Sequence, residues 1–290
     1  MKILSMFSMF LPFFFFAGAV FGQSSSETDA GIFHVKIGEI DFYTLRDVAS
    51  TMNNNLLITD DKEVLNRLAP SGQTPSSVNA FAVKKGSETL LIDTAFGGNT
   101  LQQLQTLGIK PDEVKNILLT HSHGDHVGGL VKDGKKVFSN AVIWLDAREL
   151  DFWKSGKSRD LLEQCRKLYG EPKILTPDEK SAVIFPEIVA VDLAGHTPGH
   201  LGFLIASGNK KLIVIGDLLH HGAVQFARPD ISIQYDDDPE KAAQIRRKTM
   251  KRAAEEKLLF AAIHLPFPSV GYVKTDGDGF RFEPIDKKEK

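Results

Sequence analysis

The stretch THSHGDH at residues 120–126 decides the fold prediction, because three histidines and one aspartate fall within six consecutive residues. It follows the apolar run VKNILL (114–119), which is typical of a strand buried on both faces. Side chains of an extended chain alternate between faces, so His121 and His123 point the same way. Gly124 lets the chain curl until Asp125 and His126 face the same pocket. Without a metal this crowding would cost free energy through desolvation and repulsion, so the stretch predicts a metal site.

Three later segments offer further donors, each at the end of an apolar strand or loop. They are GHTPGH (195–200) with His196, VIGD (214–217) with Asp217, and AIHLP (262–266) with His264. Strand ends are where a rigid sheet presents side chains to a shared cleft. A single histidine is more often a structural residue than a ligand. The joint occurrence of all these donors favours a shared metal centre.

These four blocks, in this order, resemble the ligand pattern of metallo-β-lactamase-fold hydrolases. The resemblance implies an α+β fold, an αββα four-layer sandwich of two packed mixed β-sheets flanked by helices. It also implies two divalent metal ions per chain, with the ligands His121, His123 and His196 for the first, Asp125, His126 and His264 for the second, and Asp217 bridging. Nitrogen and carboxylate ligands without a thiolate suit Zn²⁺, and Mn, Fe or Co are alternatives.

Two divalent ions that share a bridging water can supply hydroxide near neutral pH, which predicts a hydrolase. Asp125 and Asp217 are the candidates for carrying a proton to the leaving group. True β-lactamases of this fold are expected to hold a cysteine or serine where Asp217 stands, which disfavours antibiotic hydrolysis. A β-lactamase or phosphodiesterase remains the alternative enzyme, and a non-catalytic metal-binding protein is the alternative of another class. The full set of seven ligands argues against the latter.

Within this family the chain resembles methyl parathion hydrolase and its exported relatives from Ser77 to Ile285. The matching segments are LIDT (91–94), DFW (151–153), AVQF (223–226), YDDD (235–238), HLPFP (264–268) and GFRF (279–282). The resemblance implies that Phe96 and Trp153 line an aromatic substrate pocket, although either ring is equally typical of a core. Residues 154–167 are short and charged where the family carries an aromatic insertion. We therefore expect ester or lactone hydrolysis, with organophosphate triesters as secondary substrates.

The N-terminus has the layout of a secretory signal peptide: Lys2, an apolar run and then small residues. Signal peptide 1–22 is predicted to be cleaved after Ala19 or Gly22, followed by a flexible segment at 23–32 and a single domain at 33–290. An uncleaved membrane anchor is the alternative. Export predicts a periplasmic or secreted enzyme without stable membrane insertion. The single cysteine, Cys165, excludes an intramolecular disulfide.

The overall charge indicates which partners to expect. Thirty-five Lys and Arg residues against 37 Asp and Glu residues give a net charge of -2, which offers no basic surface for nucleic acid. We expect a small-molecule substrate, and the family resemblance suggests a homodimer. His200, His220 and His221 lie near predicted ligands in sequence and are either structural residues or hydrogen-bond partners of ligands. His34 is predicted to be structural.

Hydrophobic periodicity and turn residues predict the elements of the domain. The predicted helices are 101–107, 148–153, 159–169 and 239–256. The predicted strands are 33–37, 41–45, 77–83, 89–93, 114–120, 141–145, 201–206, 212–215 and 259–263, and residues 182–193 are predicted to form one or two strands. The last of these helices has the clearest start, because an aspartate is followed there by proline at the first helical position.

Overall fold

The structure is a computed structural model that describes residues 30–156, 158–177 and 187–285. The predicted signal peptide and residues 23–29 lie outside these ranges. Residues 30–32, predicted to be flexible, lie at the start of the fold, where Ile32 already belongs to a strand and is buried. The turn before Ile32 is held by a hydrogen bond of 2.9 Å from the Arg46 amide to the Gly31 carbonyl.

The first sheet has seven strands in the order β1-β2-β4-β5-β6-β9-β10. Its strands are β1 Ile32–Ile37, β2 Ile40–Asn53, β4 Gln73–Lys85, β5 Glu88–Ile92, β6 Val114–Leu118, β9 Val142–Leu145 and β10 Lys173–Ile174. β1, β2, β4 and β5 form an antiparallel meander, and β5, β6, β9 and β10 run parallel. This mixed sheet brings the carboxyl ends of β5 and β6 to the same edge.

The second sheet has six strands in the order β11-β12-β13-β15-β16-β17. Its strands are β11 Ile188–Asp192, β12 Leu201–Ser207, β13 Lys210–Val214, β15 Leu259–Ala261, β16 Val270–Asp276 and β17 Gly279–Pro284. Two small ribbons complete the strands, β3 Leu57–Ile58 with β14 Ser232–Ile233 and β7 Val131–Lys132 with β8 Lys135–Lys136. β13 and β15 are parallel neighbours, so their carboxyl ends also lie together.

Seven α-helices occur in the described part of the chain. They are α1 Lys62–Leu68, α2 Thr100–Thr106, α3 Gly124–Val127, α4 Ala147–Ser155, α5 Arg159–Tyr169, α6 Gly222–Gln225 and α7 Pro239–Glu255. The α7 helix starts as predicted, because the Asp238 carboxylate accepts from the Lys241 amide at 3.0 Å and proline takes the first turn. None of the helices in the described ranges is long and apolar enough to cross a membrane.

Three apolar layers hold the sandwich together. Side chains of both sheets form the central layer, with Phe42 and Phe81 from one sheet and Phe203 from the other. A second layer lies between the first sheet and helices α2, α4 and α5, and a third lies between the second sheet and α7. The predicted αββα four-layer sandwich of two mixed sheets is confirmed.

Several elements differ from the sequence prediction. β2 runs eight residues beyond its predicted end, because its polar second half pairs with the start of β4 after an irregularity between Arg46 and Val48. Helix α1 and the hairpin of β16 and β17 were not predicted. Residues 178–186, which contain the first part of the predicted 182–193 strand, lie outside the described residues. The later part of that prediction is confirmed as β11.

Candidate metal centre

The predicted ligands lie at strand ends contributed by both sheets. β6 leads into the segment with His121 and His123, and β11 leads into the loop with His196. β13 leads to Asp217 and β15 to His264. The structure thus brings together all seven residues that the sequence singled out as ligands, although four separate chain segments carry them.

Four donor atoms form what we call the first donor set: Nε2 of His121, Nδ1 of His123, Nε2 of His196 and Oδ2 of Asp217. The His123 nitrogen lies 3.0 Å from that of His121 and 3.1 Å from that of His196. The carboxylate oxygen of Asp217 lies 3.6 Å from the His121 nitrogen and 3.5 Å from the His196 nitrogen. Four atoms at these separations surround one small volume.

The second donor set comprises Nε2 of His126, Nε2 of His264 and the Asp125 carboxylate, with Asp217 again alongside. The His264 nitrogen lies 3.4 Å from Oδ2 of Asp125 and 3.2 Å from Oδ2 of Asp217. The His126 nitrogen lies 3.1 Å from Oδ1 of Asp217 and 3.8 Å from Oδ1 of Asp125. Asp217 therefore contacts both sets, with Oδ2 near the first set and His264 and with Oδ1 near His126, as the resemblance implies for a bridging ligand.

The inward orientation of these rings is fixed from behind by hydrogen bonds. Nδ1 of His126 lies 2.8 Å from the Asp93 carboxylate, and Nδ1 of His264 lies 3.0 Å from the Ser77 carbonyl oxygen. Nδ1 of His196 lies 3.0 Å from the Asp236 carboxylate. When Nδ1 donates to an oxygen, Nε2 keeps its lone pair for a metal.

Asp93 also orients His121 through Thr120. The Thr120 hydroxyl donates to Oδ2 of Asp93 at 2.7 Å and lies 3.1 Å from Nδ1 of His121. Because that hydroxyl hydrogen is committed to Asp93, its oxygen accepts from His121 and leaves Nε2 of His121 unprotonated. One buried carboxylate therefore sets the tautomer of a ligand in each donor set.

Asp217 is held by residues other than its fellow ligands. Its amide donates to Nε2 of His200 at 3.0 Å, while Nδ1 of His200 lies 3.1 Å from the Leu193 carbonyl oxygen. Nε2 of His220 lies 3.1 Å from Oδ2 of Asp217. Burial lowers the pKa of His200 to about 3 and that of His220 to about 4, so both rings are neutral. His200 therefore holds the Asp217 backbone and His220 its carboxylate, and neither ring adds positive charge beside the donor sets.

The charge balance differs between the two donor sets. Burial, together with the neighbouring imidazoles, lowers the pKa of His121 well below its usual range and that of His123 to about 4. Burial also opposes protonation of His264, but Asp217 and Asp125 outweigh it and raise the pKa of His264 to about 10. The same two carboxylates raise the pKa of His126 well above its usual range against the effect of burial. In the second set, the two carboxylates favour positive charge beside His126 and His264, and a divalent cation would supply that charge in place of protons.

The donor geometry fits divalent metals. Zn–N and Zn–O distances of about 2.0–2.1 Å place the ligand atoms of a tetrahedral site ~3.3 Å apart. The separations quoted for the first set span 3.0 to 3.6 Å, and those quoted for the second span 3.1 to 3.8 Å. Nε2 of His126 and Oδ1 of Asp217 are buried and make no hydrogen bond within the described ranges. Two buried polar atoms that face each other without a hydrogen bond are expected of residues that bind a common metal ion.

A cavity of about 670 Å³ opens directly onto both donor sets. Its described lining combines donor residues with apolar side chains, the latter being Met52, Val78, Phe96, Phe152, Trp153 and Tyr235. This volume falls within the range of small-molecule sites, about 300–1,000 Å³. The cavity therefore has room for an organic substrate beside the metals.

The two predicted pocket residues differ in their surroundings. Phe96 lines the cavity and is 55% exposed, so its ring is available to a ligand. Trp153 also borders the cavity, but it is only 1% exposed, packs in the layer between the first sheet and the helices, and donates from Nε1 to the Ser158 carbonyl at 2.9 Å. Phe152 lies edge-on to His123 with ring centroids 6.3 Å apart, which makes it the aromatic wall nearest that ligand.

Sequence reasoning missed Phe152 as a wall residue and assigned no role to Asp93 or Asp236. The signals were present, because Asp93 ends β5 within LIDT and Asp236 lies within the YDDD segment. His220 was left between a structural role and a partner of a ligand, and the structure places it against Asp217. His34 pairs with Asp41 in the first hairpin at 2.7 Å, as a structural residue would.

Buried imidazoles and carboxylates gather at the strand ends of an αββα sandwich, beside an organic-sized cavity, and form a candidate metal centre. The chain belongs to the metallo-beta-lactamase superfamily, whose family model matches residues 73–279.

Similarity to individual proteins supports this assignment. The uncharacterized protein YobT of Bacillus subtilis is 30% identical over 132 residues, which cover 44% of this chain and 56% of that protein. The chain thus spans little more than half the length of this curated relative. Two solved structures match with a TM-score of 0.79: hydrolase AbOPH of the beta lactamase superfamily and AidC, a dizinc quorum-quenching lactonase. AbOPH is 29% identical, with 89% of this chain and 99% of its own covered, and AidC is 25% identical, with 88% and 98% covered.

Proposed function

We propose that this protein is an exported two-metal hydrolase of neutral lactones and carboxylic esters, with organophosphate triesters as weaker substrates. The observation that carries the proposal is the cavity onto which both donor sets open. The similarity to a dizinc lactonase over 88% of the chain supports the substrate class. When bound, two divalent ions would lower the pKa of a water molecule and polarise the substrate carbonyl.

The chain's own residues have distinct tasks in this reaction. The first donor set would hold one ion and the second set the other, with Asp217 shared. Asp217 is only 3% exposed at its side chain and is surrounded by imidazoles, so it is a ligand rather than a proton carrier. Asp125 has a side chain 25% exposed toward the cavity. It is the better candidate to take a proton from the attacking water and deliver it to the leaving oxygen.

The charge of the cavity favours a neutral substrate. Among the described residues of its lining, none is lysine or arginine, and the ionisable ones are donor residues, His220 and Tyr235. Lys157, next to the lining residue Gly156, lies outside the described residues. The carboxylate of a β-lactam lies away from the bond that is cleaved, so it would need a cation besides the two metals, and the described lining offers none. A lactone or neutral ester needs no such partner.

The apolar walls indicate where an acyl or aryl group would lie. Phe96, Phe152, Met52 and Tyr235 line the cavity and would contact such a group. Burying apolar substrate surface against such walls provides about 25 cal/mol per Å². We therefore expect activity to rise with the length of the acyl chain of a lactone until the cavity is filled.

The test combines metal analysis with a substrate panel for the wild type and Asp217→Asn. The panel contains alkyl lactones, aryl esters, a phosphotriester, nitrocefin and bis-nitrophenyl phosphate. We expect two metals per wild-type chain, turnover of lactones and esters, and loss of at least one metal and of turnover in Asp217→Asn. Asp41→Asn, which alters a carboxylate of the first hairpin outside the cavity lining, is the control and retains both.

Two outcomes would contradict the proposal. Preferred turnover of nitrocefin or the phosphodiester would favour the alternative enzyme classes. A metal-loaded wild type that hydrolyses nothing in the panel would favour a non-catalytic metal-binding protein.

Export is tested in a separate experiment, by measuring the mass of the secreted or periplasmic chain. That chain begins at Val20 if cleavage follows Ala19, or at Gln23 if cleavage follows Gly22. The proposed homodimer is tested by the mass of the native particle in solution.

A further inference from the structure

Glu149 is a buried carboxylate that belongs to neither donor set. It lies in the first turn of α4 and is 0% exposed. Oε1 accepts hydrogen bonds from the Ser122 amide at 2.8 Å and the Ser122 hydroxyl at 2.5 Å, and Oε2 accepts from the Thr197 hydroxyl at 2.5 Å. A buried carboxylate with three donors is a costly arrangement unless it fixes a particular geometry.

The partners of Glu149 are the immediate neighbours of metal ligands. Ser122 lies between His121 and His123, and Thr197 follows His196. One carboxylate therefore joins the two chain segments that supply all three nitrogens of the first donor set. The described contacts of Glu149 include no residue of the second set, whose His126 is oriented by Asp93 instead.

Backbone packing fixes the position of Glu149 relative to the His196 loop. A Cβ added at Gly199 would lie 2.2 Å from the Glu149 amide nitrogen, so the loop backbone rests directly on the first turn of α4. Asp146 starts that helix by accepting from the Arg148 amide at 2.7 Å. The helix is therefore a rigid support from which Glu149 reaches both ligand segments.

We propose that Glu149 is a positioning residue that sets the separation between the His121–His123 segment and His196, and thereby the affinity of the first metal. This inference rests on the proposed function, because it assumes that the first donor set holds a metal. It goes further because Glu149, which belongs to neither donor set, is assigned a selective effect on one of the two metal sites. Outer residues of this kind typically change metal affinity 10- to 100-fold.

The experiment measures the two Zn²⁺ affinities of the full chain, stripped of metal and titrated against a chromophoric chelator. Glu149→Ala is expected to weaken one site by about 10- to 100-fold and leave the other within about threefold. Glu149→Gln is expected to recover most of the loss, because its amide oxygen still accepts from Ser122 and its NH₂ group can donate to Thr197. If Glu149 served only to fill space, neither variant would weaken one metal site more than the other.

Histidine ring NMR identifies the affected site. Of the five predicted histidine ligands, His123 alone presents Nδ1, while the others present Nε2. With one equivalent of Zn²⁺ added to Glu149→Ala, we expect the metal to occupy the second set and the His123 ring to keep its metal-free signals. Loss of the second-site metal instead would overturn the inference.

Glu187→Ala is the matched control, because Glu187 is a largely buried carboxylate that pairs with Lys85 and has no contact with either ligand segment among the described residues. We expect it to lower the melting temperature while both affinities stay near wild type. Equal weakening of both sites in Glu149→Ala and Glu187→Ala would show that the effect is general destabilisation and would refute the inference. Wild-type affinities in Glu149→Ala would refute it as well.

A milder variant covers the case in which Glu149→Ala does not fold. Thr197→Val removes only the hydrogen bond on the His196 side, and we expect about a tenfold loss at the first site. Unchanged affinity there would count against the inference. The proposed function can fail independently: a wild type that binds two metals but hydrolyses no lactone or ester would refute that function, while the affinity measurements would still decide the role of Glu149.

Discussion

Phe96→Ala is the most direct test of how the cavity binds its substrate. The ring is 55% exposed and lines the cavity, while the backbone is held independently by a hydrogen bond from the Phe96 amide to the Asp47 carboxylate at 3.1 Å. Removing the ring therefore leaves the turn in place. Substitutions of exposed side chains usually change stability by no more than about 0.5 kcal/mol.

The expected loss of substrate affinity follows from the exposed area. A phenylalanine side chain offers about 200 Å², so the 55% exposure of Phe96 leaves ~110 Å² available to a ligand. A substrate that covers half of this area buries ~55 Å², which at about 25 cal/mol per Å² is worth about 1.4 kcal/mol. That energy corresponds to about a tenfold increase in KM for a substrate with an apolar group.

The assay compares KM and kcat for a short-chain and a long-chain lactone in the wild type, Phe96→Ala and Trp153→Phe. We expect Phe96→Ala to raise KM for the long chain more than for the short one, with little change in melting temperature. Trp153→Phe should instead cost about 1–3 kcal/mol of stability, because Trp153 is buried and donates to the Ser158 carbonyl. The reasoning fails if Phe96→Ala leaves KM unchanged for both lactones.

Three further predictions follow from buried contacts. Asp93→Asn should weaken the second metal by about 10- to 100-fold in a chelator titration, because an amide NH₂ facing Nδ1 of His126 favours the tautomer with a proton on Nε2. The first metal should weaken as well, since the same NH₂ group meets the Thr120 hydroxyl that orients His121, and wild-type affinities at both sites would contradict the prediction. Cys165 should resist alkylation by iodoacetamide in the native protein, since burial raises the pKa of its thiol to about 12, and rapid labelling at pH 8 would contradict this. Gly199→Ala should lower the melting temperature by about 10 °C, since overpacking against the Glu149 amide costs about 3 kcal/mol; an unchanged melting temperature would contradict it.

The candidate ligands could be singled out from the sequence because each is encoded locally. His121 and His123 share a face through the period of an extended chain, and Asp217 and His264 each follow a short apolar run that the structure shows as β13 and β15. The start of α7 was equally local, since an aspartate and a proline define it. Such features depend on a few neighbouring residues and do not require contacts with distant parts of the chain.

The hydrogen-bond partners of the ligands were not predictable in the same way. The Ser77 carbonyl that orients His264 lies 187 positions away in sequence, and Glu149 lies 27 positions from Ser122 and 48 from Thr197. Which carboxylate meets which imidazole is set by the pairing of strands and by helix packing. No periodicity in a single segment contains that information.

Elements without a clear hydrophobic pattern were missed for a related reason. The second half of β2 contains the polar run STMN (50–53), which forms a strand only because residues 73–76 of β4 pair with it. Helix α1 buries a single residue, Val64, and its amphipathic signal is correspondingly weak. The β16–β17 hairpin is held by pairing with β15 rather than by its own alternation.

The structure separates the residues that build the metal centre from those that would select the substrate. The ligands and their partners Asp93, Asp236 and Glu149 are largely buried and linked by hydrogen bonds, so a change at one disturbs a metal. Phe96 and Tyr235, 55% and 47% exposed, border the same cavity without touching a donor set through any hydrogen bond of the described chain. Their replacement costs little stability, so substrate preference can change while the metal chemistry stays intact. On the proposed function, the metal centre would account for hydrolysis, and the cavity wall would determine which neutral ester or lactone is preferred.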